Sequence, residues 1–215
     1  MFLSDAEADA IDAQIERLES RTGVQVVTAA IGKSDTYAEL PWKAFALGAA
    51  LAAFAVALAD MRWPQWVTSH TALTHATTIL GAAAASALLA VFVPPFARLF
   101  LRATRRDLEV RQYAQSLFLT RELFKTRGRT GVLILVSLFE RRVEILPDAG
   151  LHARISEAEW KAVIARMTPR LREARPFQAL QEGLAALADL LASKGFQPGA
   201  DPNELPDRPI EERGV

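Results

Sequence analysis

The chain predicts an α/β domain interrupted by a two-helix transmembrane hairpin. Three observations carry that expectation. Two long uncharged stretches, Ala44–Ala59 and Ala72–Ala97, lie inside the sequence. Two short, β-branched apolar runs, Val24–Ile31 and Val132–Phe139, stand on either side of them. Capped amphipathic helical patterns accompany both runs.

The elements follow in order. Ser4 with Glu7 is a capping-box pair, and Ile11, Ile15 and Leu18 recur behind it at helical spacing. Gly23 stands where a helix C-cap glycine belongs. Val24–Ile31 reads as a buried strand, being short and nearly all apolar. Gly32–Tyr37 is a polar connection, and Tyr37–Trp42 opens a helix that runs into the first apolar stretch.

A membrane helix needs about 20 mostly apolar residues to cross about 30 Å of hydrocarbon. Ala72–Ala97 meets that length. Ala44–Ala59 falls a few residues short, but Leu40, Pro41, Trp42, Met61 and Trp63 extend it while Lys43 snorkels to the headgroups. The alternative is an alanine-rich hairpin buried in a soluble protein. Phe45, Leu51, Phe54 and Leu58 in the first stretch, and Leu80, Leu88, Leu89 and Phe92 in the second, supply apolar surface that favours the bilayer. Gly81 and Ser86 are small enough to let the two spans approach. Thr74, Thr77 and Thr78 read as hydroxyls satisfied within their own helix. No Asp, Glu, Lys or Arg interrupts either stretch, so a transport path lacks its usual intramembrane ionisable group.

Arg98, Arg102, Arg105, Arg106 and Arg111 follow the second stretch, opposed by Asp107 and Glu109. Such an excess beside a span marks the cytoplasmic side. The connecting segment Asp60–Thr71 holds one Arg and no Lys, with Trp63 and Trp66 at the level of an aromatic belt. The expectation is a multi-pass inner-membrane protein with both termini in the cytoplasm and the lipid bilayer as its first partner. Met1–Asp12 is polar and acidic, unlike a cleavable signal peptide, so the first span is expected to serve as the targeting signal. Formal net charge is zero, which gives no field toward nucleic acid, and none is expected as a partner. Cysteine is absent, excluding disulfides and thiol chemistry.

Beyond the spans, Val110, Tyr113, Ala114, Leu117 and Phe124 mark one face of a helix between Arg106 and Lys125, ended by Gly128. Val132–Phe139 is the second buried strand, Glu140-Arg141 a two-residue turn, and Val143 and Ile145 alternate in a third strand. Pro147–Leu151 is a loop. Ser156 and Glu159 cap a helix with the stripe Trp160, Val163, Ile164 and Met167, which Pro169 ends. Pro176 opens another, with Leu180, Leu184, Leu187 and Leu191 on one face, stopped at Lys194-Gly195. The tail is proline-rich and charged, and is expected to be disordered. Arg21-Thr22-Gly23-Val24 recurs as Arg129-Thr130-Gly131-Val132, pointing to two similar helix-to-strand transitions. The organisation expected is therefore one domain in two halves, residues 1–43 and 98–195, around a hairpin at 44–97, with a tail at 196–215.

The order of elements resembles the TPM domain family, and in particular its uncharacterised bacterial membrane proteins. Leu3-Ser4-Asp5 and Thr22-Gly23-Val24 carry the likeness in the first half. Thr130-Gly131-Val132 through Arg142-Val143, Ala149-Gly150-Leu151 and Met167-Thr168-Pro169 carry it in the second. The resemblance implies an α/β/α sandwich and, in some relatives, calcium binding or weak acid phosphatase activity. Two departures stand out: the hairpin lies within the domain, and the family's Gly-x-Gly-Leu loop appears as Asp148-Ala149-Gly150-Leu151.

Glu140, Glu144 and Asp148 are the acidic cluster nearest a strand end and a loop. Calcium takes several such oxygens, and Glu140 and Asp148 are the candidate ligands, one leaving the turn and the other entering the loop. The competing reading is solvated surface carboxylates, partly neutralised by Arg141 and Arg142. His70, His75 and His152 share no ligand spacing, and no phosphate loop or nucleophile elbow is present. No catalytic residue and no cofactor beyond calcium are assigned. The function expected is a cytoplasmic domain that binds an ion or another membrane protein in membrane-protein maintenance or assembly. The alternative is a metal-dependent phosphatase acting on phosphomonoesters. A reporter active only outside the cytoplasm should be silent when fused at Val215 and active near Ser69; activity at Val215 would refute the orientation.

Overall fold

Ser4 closes both halves of its capping box, with Glu7 N donating to Ser4 Oγ at 3.3 Å and Ser4 N to Glu7 Oε2 at 2.8 Å. The computed structural model describes residues 2–63, 68–126, 128–197 and 208–214. In chain order the elements are α1 (Asp5–Thr22), β1 (Gln25–Lys33), α2 (Glu39–Arg62), α3 (Ser69–Phe92), α4 (Pro94–Arg98) and α5 (Ala103–Thr120). A single 3-10 turn, Leu123–Lys125, precedes β2 (Gly131–Ser137), β3 (Arg142–Pro147), α6 (Ala149–His152), α7 (Glu157–Arg172), α8 (Pro176–Ser193) and β4 (Ile210–Gly214). They form two compact units, Met1–Asp35 with Arg106–Val215, and Thr36–Arg105.

The first unit is an α/β/α sandwich around one four-stranded sheet in the order β3-β2-β1-β4. β1 pairs with β2 in parallel, from Gln25 opposite Gly131 to Ile31 opposite Ser137. β3 returns antiparallel to β2, and β4 lies parallel to β1 on its other side. Successive side chains on a strand point to opposite faces, and both faces are covered. Val26, Val132, Ile134 and Val136 pack with Ile11 and Ile15 of α1, Val163 and Met167 of α7, and Leu180, Leu184 and Leu187 of α8. Val27, Ala29, Ile31, Leu133 and Leu135 pack on the other side with Val110, Ala114 and Leu117 of α5 and with Leu123. The near-continuous apolar runs of β1 and β2 are thus the signature of strands buried on both sides.

In the second unit α2 and α3 are 24 residues each, about 36 Å at 1.5 Å per residue. Both are long and apolar enough to cross a membrane. Their large side chains stay outside: Leu47, Leu51, Phe54, Leu80, Leu88 and Phe92 are all exposed. The seam between them is made of small residues, Ala44, Gly48, Ala83 and Ala90. A Cβ at Gly48 would lie 2.8 Å from the Ser86 Cβ and 3.0 Å from the Ala82 carbonyl oxygen, so only glycine fits that crossing. Gly81, by contrast, faces open space. Thr74, Thr77 and Thr78 donate their hydroxyls to carbonyls of their own helix.

Several expectations are corrected. The second apolar helix stops at Phe92 rather than Ala97, because Val93 precedes Pro94 and takes an extended backbone (φ −117°, ψ 91°). β2 ends at Ser137, and four residues, Leu138–Arg141, make the turn, with Arg141 at φ 51°. Pro169 sits inside α7, which runs on to Arg172; the Thr168 hydroxyl donates to the Ile164 carbonyl at 2.8 Å one residue before the missing N–H. The expected disordered tail contains β4, whose strand neighbours are Ala29–Lys33. Residues 198–207 and 215, like Pro64–Val67 with Trp66, lie outside the described residues. The Arg-Thr-Gly-Val echo is not a structural repeat: Gly23 is a left-handed C-cap at φ 67°, whereas Gly131 is the first residue of β2 and pairs with Gln25.

Both faces of β2 depend on partners from the first 35 residues. Residues 98–215 expressed without residues 1–43 should therefore give no cooperative unfolding transition and no dispersed amide spectrum. A sharp transition from that fragment would contradict the shared sheet.

Candidate functional site

β3 separates the two carboxylates singled out by sequence. Glu140 lies in the turn before it and Asp148 just after it, roughly 17–20 Å apart for a strand of this length at about 3.3 Å per residue. They do not form one ion site. Each is held by donors of its own.

Glu140 is 2% exposed, at the carboxyl ends of the parallel strands. Its Oε1 accepts from the Ser34 N–H at 2.9 Å and from the Ser34 hydroxyl at 2.7 Å. Its other oxygen accepts from the Ser137 hydroxyl. Ser34 follows β1 and Ser137 ends β2, so the carboxylate ties the exit of one strand to the turn after the next. Backbone bonds from Leu138 N to Ile31 O and Phe139 N to Gly32 O, at 3.0 and 2.8 Å, continue the ladder to this corner.

Asp148 is 4% exposed and caps α6, accepting from the Ala149 N–H at 2.7 Å. Arg129 Nη2 donates to Oδ1, and its Nε lies against Oδ2 as an ion-pair contact, each at 2.9 Å. A charge-assisted hydrogen bond backed by a close ion-pair contact fixes orientation as well as charge. Arg129 itself adopts φ 53°, and its carbonyl accepts from Gly150 N at 3.0 Å. A Cβ at Gly150 would sit 2.6 Å from the Gly128 carbonyl oxygen and 2.7 Å from that of Arg129. The Ala-Gly-Leu loop is thus a close backbone crossing, and its glycine has a packing reason.

Glu144 lies opposite Leu135 in unbroken antiparallel register, so no bulge carries it toward the other two. It is half-buried on the α5 side, where burial holds its carboxyl above the ordinary range against the opposing pull of Arg111 and Arg142. Arg111 Nε is 4.0 Å away, and Arg142 pairs with Asp107 at 2.6 Å. His152 ends α6, while His75 lies 3.5 Å from Asp60 in the hairpin. Among the described residues no three of His, Asp and Glu converge as a metal cage. The donor set does not fit calcium: the candidate oxygens are divided between two corners and already accept hydrogen bonds or pair with arginine.

A further polar cluster joins residues too remote in sequence for spacing to reveal. Glu212 of β4 accepts from the Tyr113 hydroxyl at 2.5 Å and from Arg121 at 3.1 Å. Burial and the adjacent Glu212 keep the Tyr113 phenol protonated far above its usual range. Ser116, Leu117 and Thr120 complete an open cleft of about 260 Å³ beside them. Glu211 accepts from Phe2 N at 2.6 Å, so both acidic residues of β4 are engaged in docking it.

The architecture is that of a sandwich domain whose buried acids brace loops at the two ends of its sheet. The family model of the TPM domain matches residues 72–190, more than half of the chain, and the protein belongs to that family. The match begins inside α3; the sheet pairing brings α1 and β1 into the same domain. The NMR structure of the BA42 protein from the psychrophilic bacterium Bizionia argentinensis has a similar fold, with a TM-score of 0.58 at 15% identity, covering 98% of this chain and 96% of that one. At that identity the likeness is one of fold alone. No curated protein matches the chain.

If the acids are braces, Glu140→Ala should lower stability by about 1–3 kcal/mol by stranding buried donors. Arg129→Ala and Asp148→Ala should each destabilise, and the double variant should cost less than the sum of the two. Millimolar calcium should leave the wild-type thermal midpoint unmoved. A calcium-dependent rise that Glu140→Gln abolishes would show a ligand role instead.

Proposed function

We propose that this TPM protein is anchored in the inner membrane by α2 and α3, with its sandwich in the cytoplasm, where it binds another membrane protein during maintenance or assembly. The observation that carries the reading is the placement of two long helices with exposed apolar side chains between strands of one sheet. In water that surface is a liability. In a bilayer it tethers the domain to the plane where membrane proteins are handled. The arginines that follow α3 favour the cytoplasmic side.

Binding is favoured over hydrolysis by the state of the buried acids. A phosphomonoesterase built on Glu140 and Asp148 needs them convergent, whereas Glu140 is held by two serines at one end of β3 and Asp148 is paired with Arg129 at the other. The test combines location and loss of function. Alkaline carbonate washing should leave the chain in the membrane fraction. Deleting its gene should lower the abundance of a defined set of membrane proteins, restored by the full chain and not by the sandwich lacking the hairpin. Release by carbonate would overturn the anchor. Metal-dependent hydrolysis of a phosphomonoester by the purified protein, lost in Glu140→Gln, would overturn the binding role in favour of the phosphatase.

A further inference from the structure

We infer that the end of the hairpin where α2 begins and α3 finishes is a binding collar for anionic phospholipid headgroups. The inference rests on the reading that α2 and α3 cross a bilayer. Pro94 and Pro95 break the axis of α3, and α4 turns the chain at its foot. Lys43 Nζ lies 3.5 Å from the Phe100 carbonyl oxygen, and Arg105 Nε lies 3.2 Å from Glu39 Oε1. These contacts place the start of α2 and residues 98–105 at one end of the unit.

Charge and polarity at that end match an anionic interface. Across residues 36–43 and 94–105 the sequence holds four basic residues, Lys43, Arg98, Arg102 and Arg105, and one acidic residue, Glu39, a net charge of +3. Glu39 is shared between Lys43, at 3.7 Å, and Arg105, while Arg102 is exposed. Beside these cations Trp42 is 71% exposed and Leu99 77% exposed. An indole and an aliphatic side chain bared among basic groups suit the headgroup level, where rings and acyl boundary meet. At the opposite end Asp60 and Arg62 cancel, and residues 63–71 add no Asp, Glu, Lys or Arg. Each basic residue near an anionic surface adds to its attraction, and the effect falls off within a Debye length. The collar should therefore select anionic over zwitterionic lipid, beyond merely orienting the chain.

The experiment uses the full chain with Trp63→Phe and Trp66→Phe, leaving Trp42 as the interfacial reporter and Trp160, 6% exposed in the sandwich core, as a constant background. It is reconstituted into phosphatidylcholine vesicles containing either brominated phosphatidylglycerol or brominated phosphatidylcholine. The phosphatidylglycerol should quench Trp42 at a several-fold lower mole fraction, up to about tenfold for three net charges. The preference should collapse in molar salt and in the triple variant Arg98→Gln, Arg102→Gln, Arg105→Gln. Should that variant fail to reconstitute, the salt series on the unmodified arginines decides. Equal quenching by the two lipids would overturn the collar and leave the anchor standing. No quenching by either would overturn both.

Discussion

Parallel pairing of β1 with β2 is the constraint on which the rest of the molecule depends. It joins Gln25–Ile31 to Gly131–Ser137 across more than a hundred positions and puts both strands at the centre of the sheet. Long separations normally slow folding more than they weaken it, since closure entropy grows only with the logarithm of loop length. Here the hairpin shortens the effective loop. Its two helices return the chain toward its starting point, and Glu39 meets Arg105 at 3.2 Å. This pair, with Arg105 exposed and Glu39 half-buried, marks how near the ends of the insertion lie. A domain can carry such an insertion because the inserted element closes its own gap.

The same pairing explains where the buried carboxylates went. Bringing the ends of β1 and β2 together leaves loop backbone and hydroxyls to satisfy at a buried corner, and Glu140 accepts from Ser34 and Ser137 there. At the far end of β3, Arg129 holds Asp148 against the Gly150 crossing. A carboxylate near a strand end reads as a ligand when only its sequence neighbours are visible. Its actual partner, Ser34, comes from the other side of the hairpin. The loop Asp-Ala-Gly-Leu keeps the glycine that backbone contact requires, at Gly150. The acid before it serves as a helix cap.

What was legible follows from how local the determining forces are. Ser4 with Glu7 and Ser156 with Glu159 act within one turn, and both boxes form as their spacing implies. The leucines of α8 repeat over many residues and all four face the core. β1 and β2 announced themselves because burial on both faces leaves no polar positions. β4 did not: Ile-Glu-Glu-Arg-Gly at a sheet edge carries one large apolar residue, and its docking depends on Phe2, Tyr113 and Arg121, all remote in sequence. The turn after β2 is longer than Glu140-Arg141 because Ser34 and Ser137 draw Glu140 inward, away from the tip that spacing assigns to it. Pro169 looked like a stop, yet α7 continues because packing of Met167 and Leu171 outweighs one lost backbone bond.

On this reading of the sheet, the sandwich is complete without the hairpin and is merely interrupted by it. The most direct measurement replaces residues 36–105 with a flexible glycine-serine linker and follows denaturant unfolding of the resulting water-soluble chain. A single cooperative transition, with slow exchange of the amides in β1 and β2, is the predicted result. An aggregated or non-cooperative chain, with those amides exchanging freely, would show instead that the hairpin is part of the domain's core.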